Sequence, residues 1–358
     1  MEFQGFGENK IRGGSDMLLY PGTGMGIMGD AFRFEEDILA ITTLKAEDFG
    51  GEHNKRSYAY VLVLWLVGIW SMMTNLTQVV FVKVFKRQKD SFMKILWNLG
   101  RDPNHVSSFF VDRFSKFNHQ SKTGAASWPS LDIFYNYHTK ISPQLKNDME
   151  GAMTRFWVGK MENRQAVTNR LKIVINLLEN AFRKFVNEPE IRLVSIASGS
   201  AQAVIKAIQR CCNLPIKVIL IDIDKTAIKK ARQEVELAGL TNQVSFIHGT
   251  TSSLEKVCQE FRPHIVEMVG FLDYRPKKKA IQLIHRIKDC LLPGGYFLTC
   301  NIRKNRERIF LNWTLLWPMI YRSEKQFAEL LVKGGFLLEK INIFYEPFKI
   351  HGIGVCQK

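Results

Sequence analysis

Four short stretches of the sequence carry residues whose types and spacing suit ligand chemistry. The first is Ala197-Ser198-Gly199-Ser200-Ala201, a run of small residues between an apolar segment, 191–196, and an amphipathic one. Small side chains let a ligand approach the backbone, and Gly199 is free to take positive φ. The second is Asp222-Ile223-Asp224 at the end of the next apolar run. The two oxygens of Asp222 can accept both hydroxyls of a ribose, while Asp224 is placed to cap a helix beginning at Lys225. The third is His248-Gly249-Thr250. The fourth surrounds another apolar run and offers Glu267, Asp273 and Tyr274. Strand, tight loop, helix, strand and acid, in that order, make the opening half of a nucleotide-binding α/β unit.

The elements that must position these residues are legible in the hydrophobic pattern. Strands are expected at 191–196, 216–221, 243–248, 264–269 and 295–300, and helices at 201–211, 225–238, 251–260, 277–291 and 323–334. Such alternation with short links implies right-handed crossovers and a parallel sheet. Two further apolar runs, 336–344 and 348–356, read as a terminal hairpin. Ahead of the first strand, Val167, Leu171, Val174, Leu178, Ala181 and Phe185 recur at steps of three and four, the stripe of an amphipathic helix.

The chain of 358 residues has 46% hydrophobic content, enough for a sizeable core, and a net charge of +16. That excess suits nucleic acid, an anionic membrane surface or an acidic substrate; no RNA-binding module pattern occurs, so nucleic acid is not the expected partner. Residues 1–56 read as an irregular segment. Gly24, Gly26 and Gly29 form a GxGxxG with no strand before it, which reads as a flexible loop.

Residues 57–130 read as an apolar and then basic helical region. No charge occurs from Ser57 to Val82, a length that can cross a bilayer; the alternative is a helix packed on the C-terminal domain. Between Lys83 and Lys122 lie nine Lys or Arg against three Asp. This excess places the C-terminal side in the cytosol if the segment spans. If it does not, the basic stretch lies on anionic lipid through Phe92, Ile95, Leu96 and Trp97. Residues 131–164 read as a helical lid bearing Tyr137 and His138. The six cysteines show neither a CxxC pair nor metal spacing and read as reduced thiols of a cytoplasmic protein. No metal site is expected.

Residues 165–358 resemble the class I S-adenosylmethionine-dependent methyltransferases, nearest a group of methyltransferases of unassigned substrate. The resemblance rests on Ser195-Ile-Ala-Ser-Gly-Ser-Ala201, Asp222, His248-Gly-Thr-Thr, the segment Val266 to Tyr274, and above all Leu291-Leu-Pro-Gly-Gly-Tyr-Phe-Leu. It implies a doubly wound α/β fold, a seven-stranded and mostly parallel sheet with an antiparallel C-terminal hairpin, here with a helical N-terminal extension. It implies S-adenosylmethionine as cofactor, held by Ala197, Ser198, Gly199, Ser200, Asp222, Ile223, Gly249, Thr250 and Glu267.

The chain departs from the family pattern in four places. An acid is usual where Ser195 stands, glycines where Ala197 and Ala201 stand, and an acid near Thr250. Glu267 and Asp273 are the carboxylates that could compensate. The implied reaction is methyl transfer to a small, apolar or lipid-like acceptor, with Asp273, Tyr274 and His138 as candidate catalytic groups. The segment with Arg303, Lys304, Arg306 and Arg308 beside Phe310, Trp313, Trp317 and Tyr321 is expected to give the acceptor pocket a basic mouth and an aromatic floor. The competing expectation is a non-catalytic cofactor-binding or scaffold module at a membrane.

Overall fold

The computed structural model describes residues 37–85 and 90–358, together with three strand segments at 17–19, 26–28 and 32–34. The described residues hold eleven strands in chain order: β1 Met17–Leu19, β2 Gly26–Met28, β3 Phe32–Phe34, β4 Asp37–Thr43, β5 Ile191–Ile196, β6 Ile216–Asp222, β7 Val244–His248, β8 Ile265–Met268, β9 Tyr296–Ile302, β10 Ile341–Tyr345 and β11 His351–Gln357. Strands β1 and β2 pair with each other. The other nine form one sheet in the order β3-β4-β10-β11-β9-β8-β5-β6-β7. Strands β5 to β9 are mutually parallel, and β11 runs antiparallel between β9 and β10. The expected seven-stranded doubly wound sheet with its terminal hairpin is therefore present, and β4 and β3 extend it.

That extension corrects one reading. Part of the segment taken as irregular is a strand: β4 pairs in parallel with β10, from Ala40 opposite Asn342 to Thr43 opposite Tyr345. Asp-Ile-Leu-Ala-Ile-Thr-Thr lacks a clean alternation and a turn at each end, so periodicity alone does not mark it. Of the glycine triplet, Gly24 and Gly29 lie outside the described residues, and Gly26 falls in β2.

The helix Glu162–Lys184 is the central strut. Its apolar stripe fills the core between itself, β5 and the helix Gln202–Arg210. Its polar face is buried too, because an extended strap, residues 52–56, lies along it. The Glu52, Asn54 and Arg56 N–H groups donate to Asn169 Oδ1, Gln165 Oε1 and Glu162 Oε1 at 2.7, 2.9 and 2.8 Å. Asn169 and Gln165 return the bond through their amide N–H to the Glu52 and Asn54 carbonyls. Buried side chains thus satisfy a backbone segment that has no strand partner. At the helix N-terminus, Glu307 accepts from the Glu162 and Asn163 N–H groups at 2.9 and 2.8 Å, where a carboxylate complements the helix dipole.

Among the described residues one helix, Tyr58–Phe85, is long and apolar enough to cross a membrane. It packs along its length on the domain: Tyr60, Leu64, Gly68, Ser71, Asn75, Val79 and Val82 are buried. Asn75 donates to the Trp313 carbonyl at 3.0 Å, and Ser71 meets Thr314 Oγ1 at 2.9 Å. Its opposite face carries Leu62, Leu66, Ile69, Met73, Leu76, Val80 and Val84, all exposed. The next helix, Phe92–Gly100, turns Ile95 and Leu96 inward against Val79, Val82 and Leu316. Those two residues are therefore not a lipid-facing surface.

Cys258 and Cys290 form a disulfide between the helices Leu254–Phe261 and Lys277–Cys290. Reduced thiols were the expectation for all six cysteines. Thirty-two residues separate this pair, so no short spacing announces it. Cys211, Cys212, Cys300 and Cys356 are free.

Candidate functional site

The loop after β5 opens at the carboxyl edge of the sheet, where an open α/β fold binds its ligands. Ala197, Gly199 and Ala201 all take positive φ, at 53°, 56° and 55°. The chain therefore makes the glycine-type turn although two of its three left-handed positions carry a methyl group, at a cost of about 1–2 kcal/mol each. The turn is pinned by Asp222, whose Oδ2 accepts from the Gly199 N–H and whose Oδ1 accepts from the Asp224 N–H, both at 2.8 Å. Each carboxylate oxygen keeps a second lone pair for a ligand. Asp224 caps the helix Lys225–Leu237 through the Thr226 N–H, as expected.

Ser195, the last but one residue of β5, stands opposite Glu267 of β8 in the parallel register. Its hydroxyl donates to Glu267 Oε2 at 2.5 Å, and Glu267 Oε1 accepts from the Val269 N–H at 3.0 Å. Burial pushes the Glu267 carboxyl up to about 7, with these two hydrogen bonds and the Arg170 charge pulling the other way.

A cleft of about 520 Å³ lies over this loop, lined by Ala197 to Val204, Glu267 and Val269 on the sheet side. Its roof is the helix Trp128–Tyr135, which contributes Leu131 and Tyr135. Trp128 Nε1 donates to Thr226 Oγ1 at 2.9 Å, and Gln202 Nε2 donates to Asp132 Oδ1 at 2.8 Å. These two bonds tie the roof to the elements after β6 and β5 respectively. Ile223, Gly249 and Thr250 sit beside the cleft at the ends of β6 and β7. Ile223 is 67% exposed, the Gly249 N–H donates to the Asp222 carbonyl at 2.9 Å, and Thr250 Oγ1 accepts from the Ser252 N–H at 3.1 Å.

A second cavity of about 470 Å³ adjoins the first, with Leu131 in both walls. Asp273, Tyr274, Arg170, His351, Phe134 and Trp317 line it. Asp273 Oδ1 accepts from the Ile302 N–H at 2.7 Å, and burial pushes its carboxyl up to about 6. The Tyr274 hydroxyl accepts from Trp317 Nε1 at 2.5 Å, and burial raises its pKa. The third candidate, His138, is elsewhere. Its Nε2 meets Glu52 Oε2 at 3.0 Å beside Arg164, and it lines neither cavity. Tyr137 lies under the Arg164 guanidinium.

The expected basic mouth does not form. Arg303 pairs with Glu324 at 2.8 Å, and Arg306 with Glu162. Of the expected aromatics, Trp317 lines the cavity, while Phe310 stacks on Trp157 and the Tyr321 hydroxyl donates to Asn312 at 3.0 Å. Sequence reasoning missed Arg170 and His351. Arg170 lies on the polar side of a helix read only for its stripe, and His351 alternates with apolar residues in the last strand; neither position carries a local signal.

Residues 194–295, less than a third of the chain, match the family described as "Methyltransferase domain". The chain matches no curated protein sequence. A crystal structure described as a possible exported protein from Bordetella parapertussis superposes with a TM-score of 0.57 at 12% identity, over 74% of this chain and 95% of that one. A magnesium protoporphyrin IX methyltransferase from Synechocystis PCC 6803 with bound SAH gives 0.42 at 15% identity, over 64% of this chain and 98% of that one. The first is a likeness of fold; the second is looser.

Proposed function

We propose that the chain is an S-adenosylmethionine-dependent methyltransferase acting on a small acceptor with an apolar body. The observation that carries this reading is the pairing of Ser195 with Glu267. It puts a buried carboxylate at the floor of the first cleft, beside a turn held open by three left-handed residues.

The donor set fits that cofactor. Glu267 is the partner for its ammonium. Asp222 offers free lone pairs to the ribose, and exposed Ile223 offers an apolar face to the adenine. The cofactor supplies an electrophilic methyl group. The chain's contribution is to bind, to orient, and to exclude water under the helix Trp128–Tyr135, which is the larger part of catalysis for an in-line displacement. Asp273 and His351 are the groups able to take a proton from an acceptor in the second cavity.

Calorimetric titration of the full chain with S-adenosylmethionine and its demethylated product tests the reading. Micromolar binding of both, weakened about tenfold by Asp222→Ala (about 1.4 kcal/mol), is expected. A folded chain that binds neither sinks it and leaves the scaffold reading.

The outward stripe of the helix Tyr58–Phe85 supports a second element of the proposal. An apolar face beside a basic stretch suits a helix lying in the plane of an anionic membrane surface. The other face is engaged by the domain from Tyr60 to Val82, so the helix is read as lying on a bilayer rather than crossing one.

A further inference from the structure

The second cavity holds an electrostatic arrangement that the fold does not complete. Arg170 is 3% exposed and permanently charged. Its Nη2 donates to the Tyr135 hydroxyl at 3.1 Å and its Nη1 reaches Cys300 Sγ at 3.8 Å, both neutral groups. Burial pushes the Cys300 thiol up to about 12. Nε has no partner among the described residues. No direct hydrogen bond joins this guanidinium to a described carboxylate; the Asp273 charge acts on it across the cavity, while Asp273 Oδ1 accepts from the Ile302 N–H. Two strands away, His351 is 2% exposed and neither ring nitrogen has a partner among the described residues. Its burial, and the Arg170 charge after it, hold its pKa well below the usual value, so the ring is neutral. Buried polar groups left unpaired in this way are costly and mark a place that something else completes.

Asp273, Cys300 and His351 converge, with their candidate ligand atoms within 4.8 Å of one another, which also suggests a metal. The donors argue against one. Cys300 Sγ already receives the Gly270 N–H at 3.1 Å and faces Arg170, so its lone pairs are engaged and a cation stands beside it. A second cation there would meet repulsion rather than a thiolate.

What the guanidinium lacks is a carboxylate in direct contact, since Asp273 acts on it only at a distance. We infer that this cavity is the acceptor site, and that the acceptor is a compact, largely apolar molecule whose single carboxylate pairs with Arg170. The planar guanidinium matches a carboxylate through two parallel hydrogen bonds. Phe134, Leu131, Leu311, Trp317 and Met319 face the apolar body. Asp273 and His351 remain to accept from a hydroxyl or amine on the same molecule. Tyr135 joins the two sites: it lines the cofactor cleft and holds Arg170. The word acceptor rests on the methyl-transfer reading; the carboxylate site does not.

The test uses the full chain, with benzoate as probe and benzamide as its neutral counterpart. Thermal unfolding and calorimetry are run with and without saturating S-adenosylhomocysteine. Benzoate is expected to bind at millimolar levels and raise the midpoint, with benzamide at least tenfold weaker, and to bind equally well on top of the nucleoside. Arg170→Met should abolish the benzoate response while the chain still binds S-adenosylhomocysteine. Equal responses to benzoate and benzamide would overturn the inference, and that comparison needs no variant. So would displacement of benzoate by the nucleoside together with lost nucleoside affinity in Arg170→Met, because the anion would then be the cofactor's own carboxylate. Arg170-dependent benzoate binding by a chain that never binds the nucleoside would refute the cofactor reading and leave the carboxylate site standing.

Discussion

The carboxylate of Glu267 on β8 lies 2.5 Å from the hydroxyl of Ser195 on the neighbouring strand β5. An acid is usual at the Ser195 position in the methyltransferases this chain resembles. Here the charge reaches the same floor from the adjacent strand, and the serine holds it in place. On the proposed cofactor reading, the departure at Ser195 relocates one carboxylate by one strand spacing, about 4.8 Å.

Glu267→Gln should therefore weaken S-adenosylmethionine more than a generic cleft substitution would. Loss of a charged hydrogen bond is worth about 1.5–3 kcal/mol, or about ten- to a hundredfold in Kd. Because burial pushes this carboxyl up to about 7, affinity should also rise with pH up to neutrality, by as much as about tenfold per unit. Calorimetry from pH 5.5 to 8.5 checks both, and a flat profile in the wild type would remove Glu267 from the ammonium site.

The pH dependence of stability has a defined sign. Glu267 and Glu346 are raised from 4.5 to about 7 and Asp273 from 3.8 to about 6, all through burial. The native state keeps these protons after the unfolded chain has released them. The stability they contribute is complete below about pH 4 and is lost as pH rises to about 7. Glu52, lowered despite its burial by Arg164 and His138, works oppositely and at lower pH. Urea midpoints should fall between pH 4.5 and 7 and level off above.

Ala197→Gly and Ala201→Gly should each stabilise the chain. Releasing a left-handed alanine returns about 1–2 kcal/mol, and the added freedom of the unfolded glycine removes about 0.4–1. A net gain of about 0.5–1 kcal/mol per site should appear as a higher urea midpoint with unchanged slope. Destabilisation by both would mean the loop relaxes out of the left-handed region.

Reduction of Cys258–Cys290 should lower stability by about 3–4 kcal/mol on loop-closure grounds for a separation of 32 residues. Unfolding of the wild type with and without reductant, against Cys258→Ser, gives the comparison. Equal midpoints in all three would show that the bond contributes nothing.

The outward stripe of the helix Tyr58–Phe85 makes a separate prediction. Leu66→Glu with Met73→Glu changes two exposed residues, so folding should be preserved. Sedimentation with vesicles containing phosphatidylserine should drop at least tenfold. Unchanged pelleting would move the membrane contact elsewhere.

The parallel core was legible because each strand is a mainly apolar run bounded by a turn, and Asp222 and Gly199 were legible because a tight loop and a terminal acid have few other uses. The parts that were not legible depend on partners distant in sequence. Asn169 and Gln165 look like the solvent face of an amphipathic helix until the strap at residues 52–56 arrives from more than a hundred positions away. His138 looked available for chemistry because nothing nearby in sequence shows that Glu52 takes it. Arg170 escaped notice for the same reason: a charge at a helical polar position reads as solvated, and only the tertiary fold buries it beside a cavity.

The edge extension by β4 bears on the order in which the protein can assemble. Residues 37–43 are made long before their partner β10, and β11 must insert between β9 and β10 to complete the sheet. Until then the edge of β4 away from β3 is unpaired, with the apolar helix Tyr58–Phe85 following it and that helix's docking surface at 309–316 still unmade. A nascent chain of this design carries an open strand edge and an apolar helix face until their partners are made, and both favour association with other chains in that interval.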